Sequence, residues 1–326
     1  MHRRAFIRFL TSLFVAAEPI VTSAQTTTAV RRIGDLSPGA PETAEEIRQG
    51  YAPLGKLGWV EGQNLLVERR YANNRPELLR PLAEELVRLK VELIVTSGTA
   101  AALAAKNATT SIPIVFGVVS DPVGVGLVAS LARPGGNVTG FSIVNTELNK
   151  KRLAVLRELV PAIERVGILE NPTNPYFRAA HGELEQASES LGIRPVFIEV
   201  ATADKLADAV GEAVRRGAQA LLVSPDFLFY EHRVEIMRAA LTHLLPTTSS
   251  RSYVEVGGLV AYTGSFSEQA DRFAAFIDRI LRGAKPADLP VEQPTKFDLL
   301  INLRTAKALG INVPQSLLLR ADEVIQ

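Results

Sequence analysis

Two short polar segments carry side chains that could bind the charged groups of a small molecule. They are SGT at residues 97–99 and SPD at residues 224–226, and each follows an apolar run and precedes a helical pattern. The N–H groups that begin a helix, together with the hydroxyls of Ser97 and Thr99, could hold a carboxylate without a positive side chain. Asp226 could accept hydrogen bonds from an ammonium group. Both segments are equally typical of plain helix N-caps.

A glycine-rich stretch, SDPVGVGLVASLARPGGNVTG, begins at Ser120. Its GxGxxA is an imperfect dinucleotide fingerprint, because SDP separates the first glycine from the preceding strand and the next strand ends without a carboxylate placed for a ribose. We therefore expect Gly124, Gly126 and Ala129 to let a short helix pack closely on a sheet. Asp121 is either a helix cap or a residue that points at a ligand.

Two further residues have a binding and a structural interpretation. Arg251 follows the hydroxyl-rich PTTSS and could form a bidentate clamp on an acidic group, but surface arginines are common. Tyr262 could stack on a ligand ring or belong to the core, and the same alternatives hold for Phe227.

Catalytic and metal-binding patterns are missing from the sequence. No serine has the flanking glycines of a nucleophile elbow, and no Ser, His and Asp fall together on predicted strand-end loops. His181, His232 and His243 share no metal-ligand spacing and are expected at the surface. We predict a protein that is not an enzyme and that has no cofactor and no metal site.

Composition limits the partners. The 326 residues include 36 Lys and Arg against 35 Asp and Glu, a net charge of +1, with no basic stripe interleaved with aromatics, which disfavours nucleic-acid binding. Cysteine is absent, which excludes disulfides, thiol catalysis and Cys-ligated zinc. The length leaves room for two lobes.

The N-terminus resembles an export signal. A basic start at Arg3 and Arg4 precedes an apolar core over residues 9–17 and small residues before Gln25, so residues 1–24 are predicted to be a signal peptide cut near Ala24. HRRAFIR is also similar to a twin-arginine signal, and the export route stays open. The mature protein is predicted to lie outside the cytoplasm, without stable membrane insertion.

The elements that must position these residues alternate regularly. Short β-branched runs from RRIGDLS to FDLLIN alternate with helical patterns, which predicts parallel sheets covered on both faces. A weak repeat relates KVELIVTSGTAAALAAK to AQALLVSPDFLFYEHRV, so two α/β lobes of one Rossmann-like architecture are expected. Ligands collect at the carboxyl ends of strands in such sheets, and two facing lobes would form a cleft there.

The run from Ser97 to Ser142 and the tail from Lys285 to Ile325 resemble the substrate-binding proteins of ABC transporters that include the tryptophan/tyrosine-type binding proteins. The resemblance implies a type I periplasmic-binding fold of two hinged lobes. It places lobe 1 at residues 30–142 and 263–285 and lobe 2 at residues 143–262 and 286–326. The implied crossings lie near residues 139–143, 262–264 and 284–290.

Ligand-contacting loops in such folds follow corresponding strands of the two lobes. The predicted ligand-binding set, carried over by resemblance and completed by the residues discussed above, is Ser37, Ser97, Gly98, Thr99, Asp121, Ser142, Asn171, Ser224, Asp226, Arg251 and Tyr262. Phe227 departs from the family pattern, because many relatives carry a polar residue after the aspartate. This departure leaves the polarity of the ligand open.

The resulting hypothesis is a periplasmic solute-binding component of an ABC importer. By resemblance it would be a monomer that closes on a small amino-acid-like, aromatic or carboxylate ligand and delivers it to an ABC permease in the inner membrane. One alternative is a ligand-sensing module that feeds a membrane signalling receptor. An exported oxidoreductase is another, and tight binding of NAD would distinguish it.

Overall fold

The computed structural model describes residues 30–143 and 145–326. The predicted signal peptide, residues 1–24, lies outside these described residues. Within them, no helix has the length and apolar character needed to cross a membrane.

Twelve strands and twelve α-helices are assigned in the described part of the chain. The strands are β1 (Arg31–Ser37), β2 (Leu65–Tyr71), β3 (Leu93–Ser97), β4 (Ile114–Val119), β5 (Val138–Ser142), β6 (Arg165–Glu170), β7 (Arg194–Glu199), β8 (Ala220–Val223), β9 (Thr247–Ser249), β10 (Val260–Gly264), β11 (Phe297–Asn302) and β12 (Glu323–Ile325). The helices are α1 (Ala44–Lys56), α2 (Leu79–Arg88), α3 (Thr99–Ala108), α4 (Asn145–Leu159), α5 (Phe177–Ser190), α6 (Leu206–Arg215), α7 (Phe227–Glu231), α8 (Arg233–Thr242), α9 (Arg251–Val254), α10 (Phe266–Leu281), α11 (Leu303–Ala308) and α12 (Gln315–Leu318).

The strands form two sheets, as the alternation of strands and helices predicts. The first has the order β2-β1-β3-β4-β5 and is parallel throughout. The second has the order β12-β11-β10-β9-β8-β6-β7 and is parallel except for β10 and β11. We call the first sheet with α1, α2, α3 and α10 lobe 1, and the second sheet with the other helices lobe 2.

Alternation along the strands divides each core into two layers. In β1, Ile33 faces α1 and α10, whereas Leu36 faces α2 and α3, because successive side chains of a strand point to opposite faces. The lobe 2 sheet likewise separates a core beside α4 and α5 from one beside α6 and α8. Both lobes are therefore the predicted α/β sandwiches with helices on both faces.

The glycine-rich stretch forms turns rather than the predicted short helix. Asp121 Oδ1 accepts a hydrogen bond from the Gly124 N–H at 2.8 Å, and Gly126 has a φ of +70°. A positive φ at Gly126 interrupts helical geometry. Leu127 and Val128 are nevertheless buried in lobe 1, so the segment packs against the core as turns.

Three crossings connect the lobes. The chain passes between the two sheets from β5 to α4 and from β10 to α10. The third crossing comes later than predicted, because Leu289 and Val291 are still buried in the cores of lobe 1 and the Ser142 N–H donates to the Glu292 carbonyl oxygen at 2.8 Å. Residues 286–291, assigned to lobe 2 from the sequence, thus pack on lobe 1. The remaining chain division stays a prediction.

Candidate ligand-binding cleft

Loops at the carboxyl ends of the strands of both lobes meet in a cleft. Two small cavities lie there, of about 60 and 120 Å³. Both are lined by Gly98, Thr99, Asn174, Asp226 and Phe227. The structure therefore brings the SGT and SPD segments together across the lobe boundary.

The lobe 1 wall of the cleft is the N-terminus of α3. Gly98 is the N-cap residue, with φ +83° and ψ 156°, a region that is essentially restricted to glycine. The first hydrogen bond of the helix runs from the Ala102 N–H to the Gly98 carbonyl oxygen. The N–H groups of residues 99–101 therefore have no acceptor within the helix. No side chain of the described residues caps this helix. Donors and positive partial charge are thus available for an anionic group.

The lobe 2 wall is built around Asp226, the N-cap of α7. Its Oδ1 accepts from the Leu228 N–H at 2.9 Å and from Asn171 Nδ2 at 3.0 Å, and its Oδ2 accepts from Asn174 Nδ2 at 2.9 Å. Burial raises the pKa of the Asp226 carboxyl, while the three hydrogen bonds oppose that rise. Asp226 is therefore both a helix cap and an acceptor held at the cleft.

Ser224 lies beside a second buried acid. It lines a cavity of about 20 Å³ together with Glu170. Ser224 Oγ and Glu170 Oε1 are buried and have no hydrogen-bond partner among the described residues. Glu170 Oε2 lies 2.8 Å from His181 Nδ1, and the His181 ring stacks on Phe197 at 3.7 Å. The His181 side chain is 36% exposed, so it lies at the surface as predicted, and its imidazole is engaged by this carboxylate and this ring.

A larger cavity of about 340 Å³ lies beside the cleft, between the lobe 1 sheet and helices α1 and α10. Ser37 and Ser97, at the ends of β1 and β3, line this cavity and not the two small ones. Phe227 lines all three cavities. The predicted set of site residues is thus divided between a polar cleft and a mostly apolar chamber.

Asp121 and Ser142 are not among the residues that line these cavities. Asp121 caps the turn at Gly124, which agrees with its structural interpretation. Ser142 is fully buried at the crossing, and its Oγ lies 3.4 Å from the carbonyl oxygens of Ser120 and Ile143. Both side chains stabilise the chain at the end of lobe 1.

Arg251 and Tyr262 are also held elsewhere. Arg251 Nη1 lies 2.6 Å from Glu323 Oε2, and Arg251 also approaches Asp298 within 3.7 Å, so nearby carboxylates satisfy its charge. The Tyr262 ring stacks on Phe297 with centroids 5.9 Å apart and packs against the lobe 2 core. The structural interpretations therefore fit both residues: Arg251 pairs with carboxylates near the surface, and Tyr262 packs against the core.

Direct contacts across the cleft involve residues that the sequence analysis missed. Glu231, at the end of α7, accepts hydrogen bonds from the Ala40 N–H and from Asn74 Nδ2 of lobe 1. Asn74 has a φ of +55°, a conformation that asparagine tolerates. The Asn-Asn pair at residues 73–74 is a recognisable turn signal, but no local pattern links Glu231 to that turn, because the two segments are distant in the chain.

Val118 is a second residue that the sequence analysis missed. It lines both the 120 Å³ cavity and the larger chamber, is 45% exposed, and has a φ of +54°. Such a φ is a marked outlier for a β-branched residue. It lies at the irregular end of β4, where the register with β5 shifts. Nothing in the sequence IVFGVV predicts this conformation.

The described residues form no metal-binding site. Within residues 30–143 and 145–326, no group of three or more His, Asp or Glu side chains is arranged to hold a metal ion. What the geometry provides is a two-sided polar cleft with an apolar chamber beside it.

Known proteins share both the sequence pattern and this fold. The chain is 27% identical over 259 residues to a tyrosine-binding protein of Clostridioides difficile, covering 79% of this chain and 74% of the other. A Streptococcus pneumoniae ABC domain solved with L-Trp matches at 24% identity, with a TM-score of 0.82 over 91% of this chain and all of the other. A ligand-free, open substrate-binding protein with adhesive properties from Clostridium difficile matches at 25% identity, with a TM-score of 0.63 over the same shares.

The solved structures that the chain matches also include a periplasmic binding protein from Burkholderia mallei, with a TM-score of 0.54 at 14% identity over 80% of this chain and 75% of the other, and they confirm the predicted type I periplasmic-binding fold. A family model described as ABC transporter substrate binding protein matches residues 41–325, nearly all of the described chain. With its two α/β lobes and its cleft, the chain belongs to the family of ABC transporter substrate-binding proteins.

Proposed function

We propose that this protein captures an α-amino acid between its lobes and delivers it to the permease of an ABC importer from the periplasm. One observation carries the proposal: the open N-terminus of α3 faces the Asp226 network across the cleft. The first is a site for an anion and the second is a site for a cation. Their combination matches the carboxylate and the ammonium of a zwitterion.

The N–H groups of residues 99–101 would receive the carboxylate, with Thr99 as the first residue of the helix. The ammonium would donate to Asp226 Oδ2, which accepts a single hydrogen bond within the described residues and has capacity for another. Asn171 and Asn174 fix the carboxylate of Asp226 and would keep it oriented in the absence of ligand.

Closure follows from this arrangement, because the two charged groups of one ligand would be held by opposite lobes. The contacts of Glu231 with Ala40 and Asn74 would form only in the closed state. The higher TM-score with the L-Trp complex than with the ligand-free open structure supports the view that the described lobes are closed. The names of the relatives favour an aromatic amino acid as the ligand.

Calorimetric titration of the mature protein tests the proposal. We expect L-tyrosine or L-tryptophan to bind, and we expect tyramine and 3-(4-hydroxyphenyl)propionate, which lack one charged group each, to bind at least about a hundredfold more weakly. Failure of every amino acid to bind or to raise the melting temperature would contradict the proposal.

The variant Asp226→Asn removes the negative charge at the cleft. It should weaken amino-acid binding much more than binding of the deaminated acid, because only the former presents an ammonium group. Asp208→Asn, a matched exposed change on α6 of lobe 2, should leave both affinities unchanged. Equal losses for both ligands in Asp226→Asn would show that this carboxylate is only a helix cap.

A further inference from the structure

The chamber in lobe 1 is large for a well-packed domain. Its volume of about 340 Å³ exceeds the roughly 150 Å³ of an engineered cavity that binds benzene. Most of its walls are apolar side chains of α1, β3 and α10, including Ile47, Leu54, Val95, Phe273 and Ile277. The chamber opens to solvent at exposed residues such as Glu46 and Gly50, and a space of this size and lining is suited to an apolar ligand group.

All the charged residues that line the chamber are acidic. Asp35, Glu42 and Glu46 line it, and no Lys, Arg or His of the described residues does. The nearby Arg69 lies behind the Tyr51 ring, 5.0 Å from its centroid, and its guanidinium is paired with Glu61 at 2.6 Å. An anionic group would therefore meet repulsion here and find no partner.

Asp35 of β1 lines the chamber. In the sheet it pairs with Val95, two residues before Ser97, which ends β3 and precedes Gly98 of the cleft. Two residues of strand span about 7 Å. A ligand whose carboxylate is held at the start of α3 would therefore have to extend a side chain of phenol or indole length to reach Asp35.

One oxygen of Asp35 remains available. Tyr51 donates its hydroxyl hydrogen to Asp35 Oδ2 at 2.8 Å, and no hydrogen bond from another described residue reaches Oδ1. Because Asp35 lines the cavity, that oxygen is positioned to accept a bond from a guest. A buried acceptor discriminates strongly against a guest that cannot satisfy it.

We infer that this chamber receives the side chain of the bound amino acid and selects an aromatic ring that ends in a hydrogen-bond donor, with Asp35 as the acceptor. The inference rests on the proposed function and names its substrate class. Phe227 separates the chamber from the polar cleft, and its ring lies against Gly98 of lobe 1. Closure of lobe 2 would therefore place an apolar cover over the ring of the ligand.

The apolar character of Phe227 has a role in this arrangement. A polar side chain at this position would face the apolar chamber and lose hydrogen bonds to water when the lobes close. Phenylalanine avoids that cost and adds ring surface against an aromatic guest. The same residue thus closes both compartments of the site.

Calorimetry with matched side chains tests the inference. The parent protein should bind L-tyrosine at least about tenfold more tightly than L-phenylalanine and should reject 4-carboxyphenylalanine. In Asp35→Asn the ratio of tyrosine to phenylalanine affinity should fall below about threefold, because the charged acceptor is lost. Asp271→Asn on the exposed face of α10 is the matched control and should keep the parent ratio.

A second variant tests occupancy of the chamber. Ala270→Leu adds bulk to the α10 wall and should weaken binding of tyrosine and tryptophan more than binding of alanine. Equal affinities for tyrosine and phenylalanine in the parent, or an unchanged ratio in Asp35→Asn, would overturn the inference and leave the proposed function intact. If no amino acid binds the parent, the proposed function fails and the inference fails with it.

Discussion

Asp35 is a carboxylate that the fold holds away from bulk water. Burial raises its pKa to about 6. The hydrogen bond from Tyr51 and the charge of Arg69 oppose this rise, whereas the negative charges of Glu42 and, to a smaller extent, Glu61 add to it. An unfolded aspartate has its ordinary pKa of 3.8. Between these two values the folded state keeps a proton that the unfolded state loses.

The free energy of unfolding should therefore contain a pH-dependent part due to Asp35. This contribution is fully present below pH 4 and decreases as the pH rises to about 6. Above pH 6 the free energy of unfolding is lower by about 3 kcal/mol at most. Urea unfolding of Asp35→Asn should show a gain over the parent at pH 8 that is absent at pH 4. A gain that is the same at both pH values would contradict the burial of a titrating group here.

Gly98 should tolerate no side chain. A Cβ there would lie 3.0 Å from the Phe227 ring, and its backbone conformation is one that only glycine adopts readily. Gly98→Ala is expected to lose about 1–3 kcal/mol of stability and at least about tenfold in ligand affinity. Gly62 also has a positive φ, +81°, but a Cβ added there would meet no neighbouring atom within 4 Å. Gly62→Ala should therefore lose stability without losing ligand affinity. Calorimetry and urea unfolding separate the two effects.

Strand β4 is strained where it borders the proposed ligand site. Val118 has a left-handed φ at the end of β4 and exposes its side chain to both the cleft and the chamber. Val118→Gly should relieve that conformation and raise stability by up to about 1 kcal/mol, but it should weaken ligand binding. Lys90→Gly relieves a φ of +53° after α2, away from the cleft, so it should raise stability without weakening binding. Equal affinities of the two variants would show that Val118 does not contact the ligand.

Most elements were predictable from the sequence because their signals are local. β-branched runs mark the strands, and α10 has clear three- and four-residue apolar spacing. The antiparallel pairing of β11 with β10 was not predictable, because strand direction depends on where the chain returns after its last crossing. The turns at residues 122–130 were mistaken for a helix because glycine permits both conformations.

The site was predictable only in part, because only some of its residues have a local signal in the sequence. Gly98 and Thr99 follow β3, and Asn171 and Asp226 follow β6 and β8 within three residues, so topology brings each pair to the carboxyl edge of its own sheet. Asp35 had a weaker signal. It lies two residues before Ser37 in β1, so both side chains face the same side of the sheet. A polar pair on one face of a buried strand is a signal that a cavity adjoins it.

At the scale of the molecule, the proposed function requires an equilibrium between open and closed states of the two lobes. Ligand affinity is reduced in proportion when the closed, binding-competent state is less populated. On the proposed function Glu231 would stabilise that state, since both of its donors, Ala40 and Asn74, belong to the opposite lobe. Hydrogen bonds to a charged group contribute about 1.5–3 kcal/mol when they replace bonds to water.

Glu231→Ala should therefore reduce ligand affinity by about tenfold or more without touching the ligand, because about 1.4 kcal/mol of closing free energy is lost. Small-angle X-ray scattering should show a larger radius of gyration for the variant at a ligand concentration that closes the parent, and the two should converge at saturation. Glu235→Ala, which removes an exposed carboxylate paired only with His232 of lobe 2 among the described residues, should match the parent in both measurements. If Glu231→Ala binds as tightly as the parent, closure depends on the ligand's own contacts with the two walls and the Glu231 contacts merely accompany it.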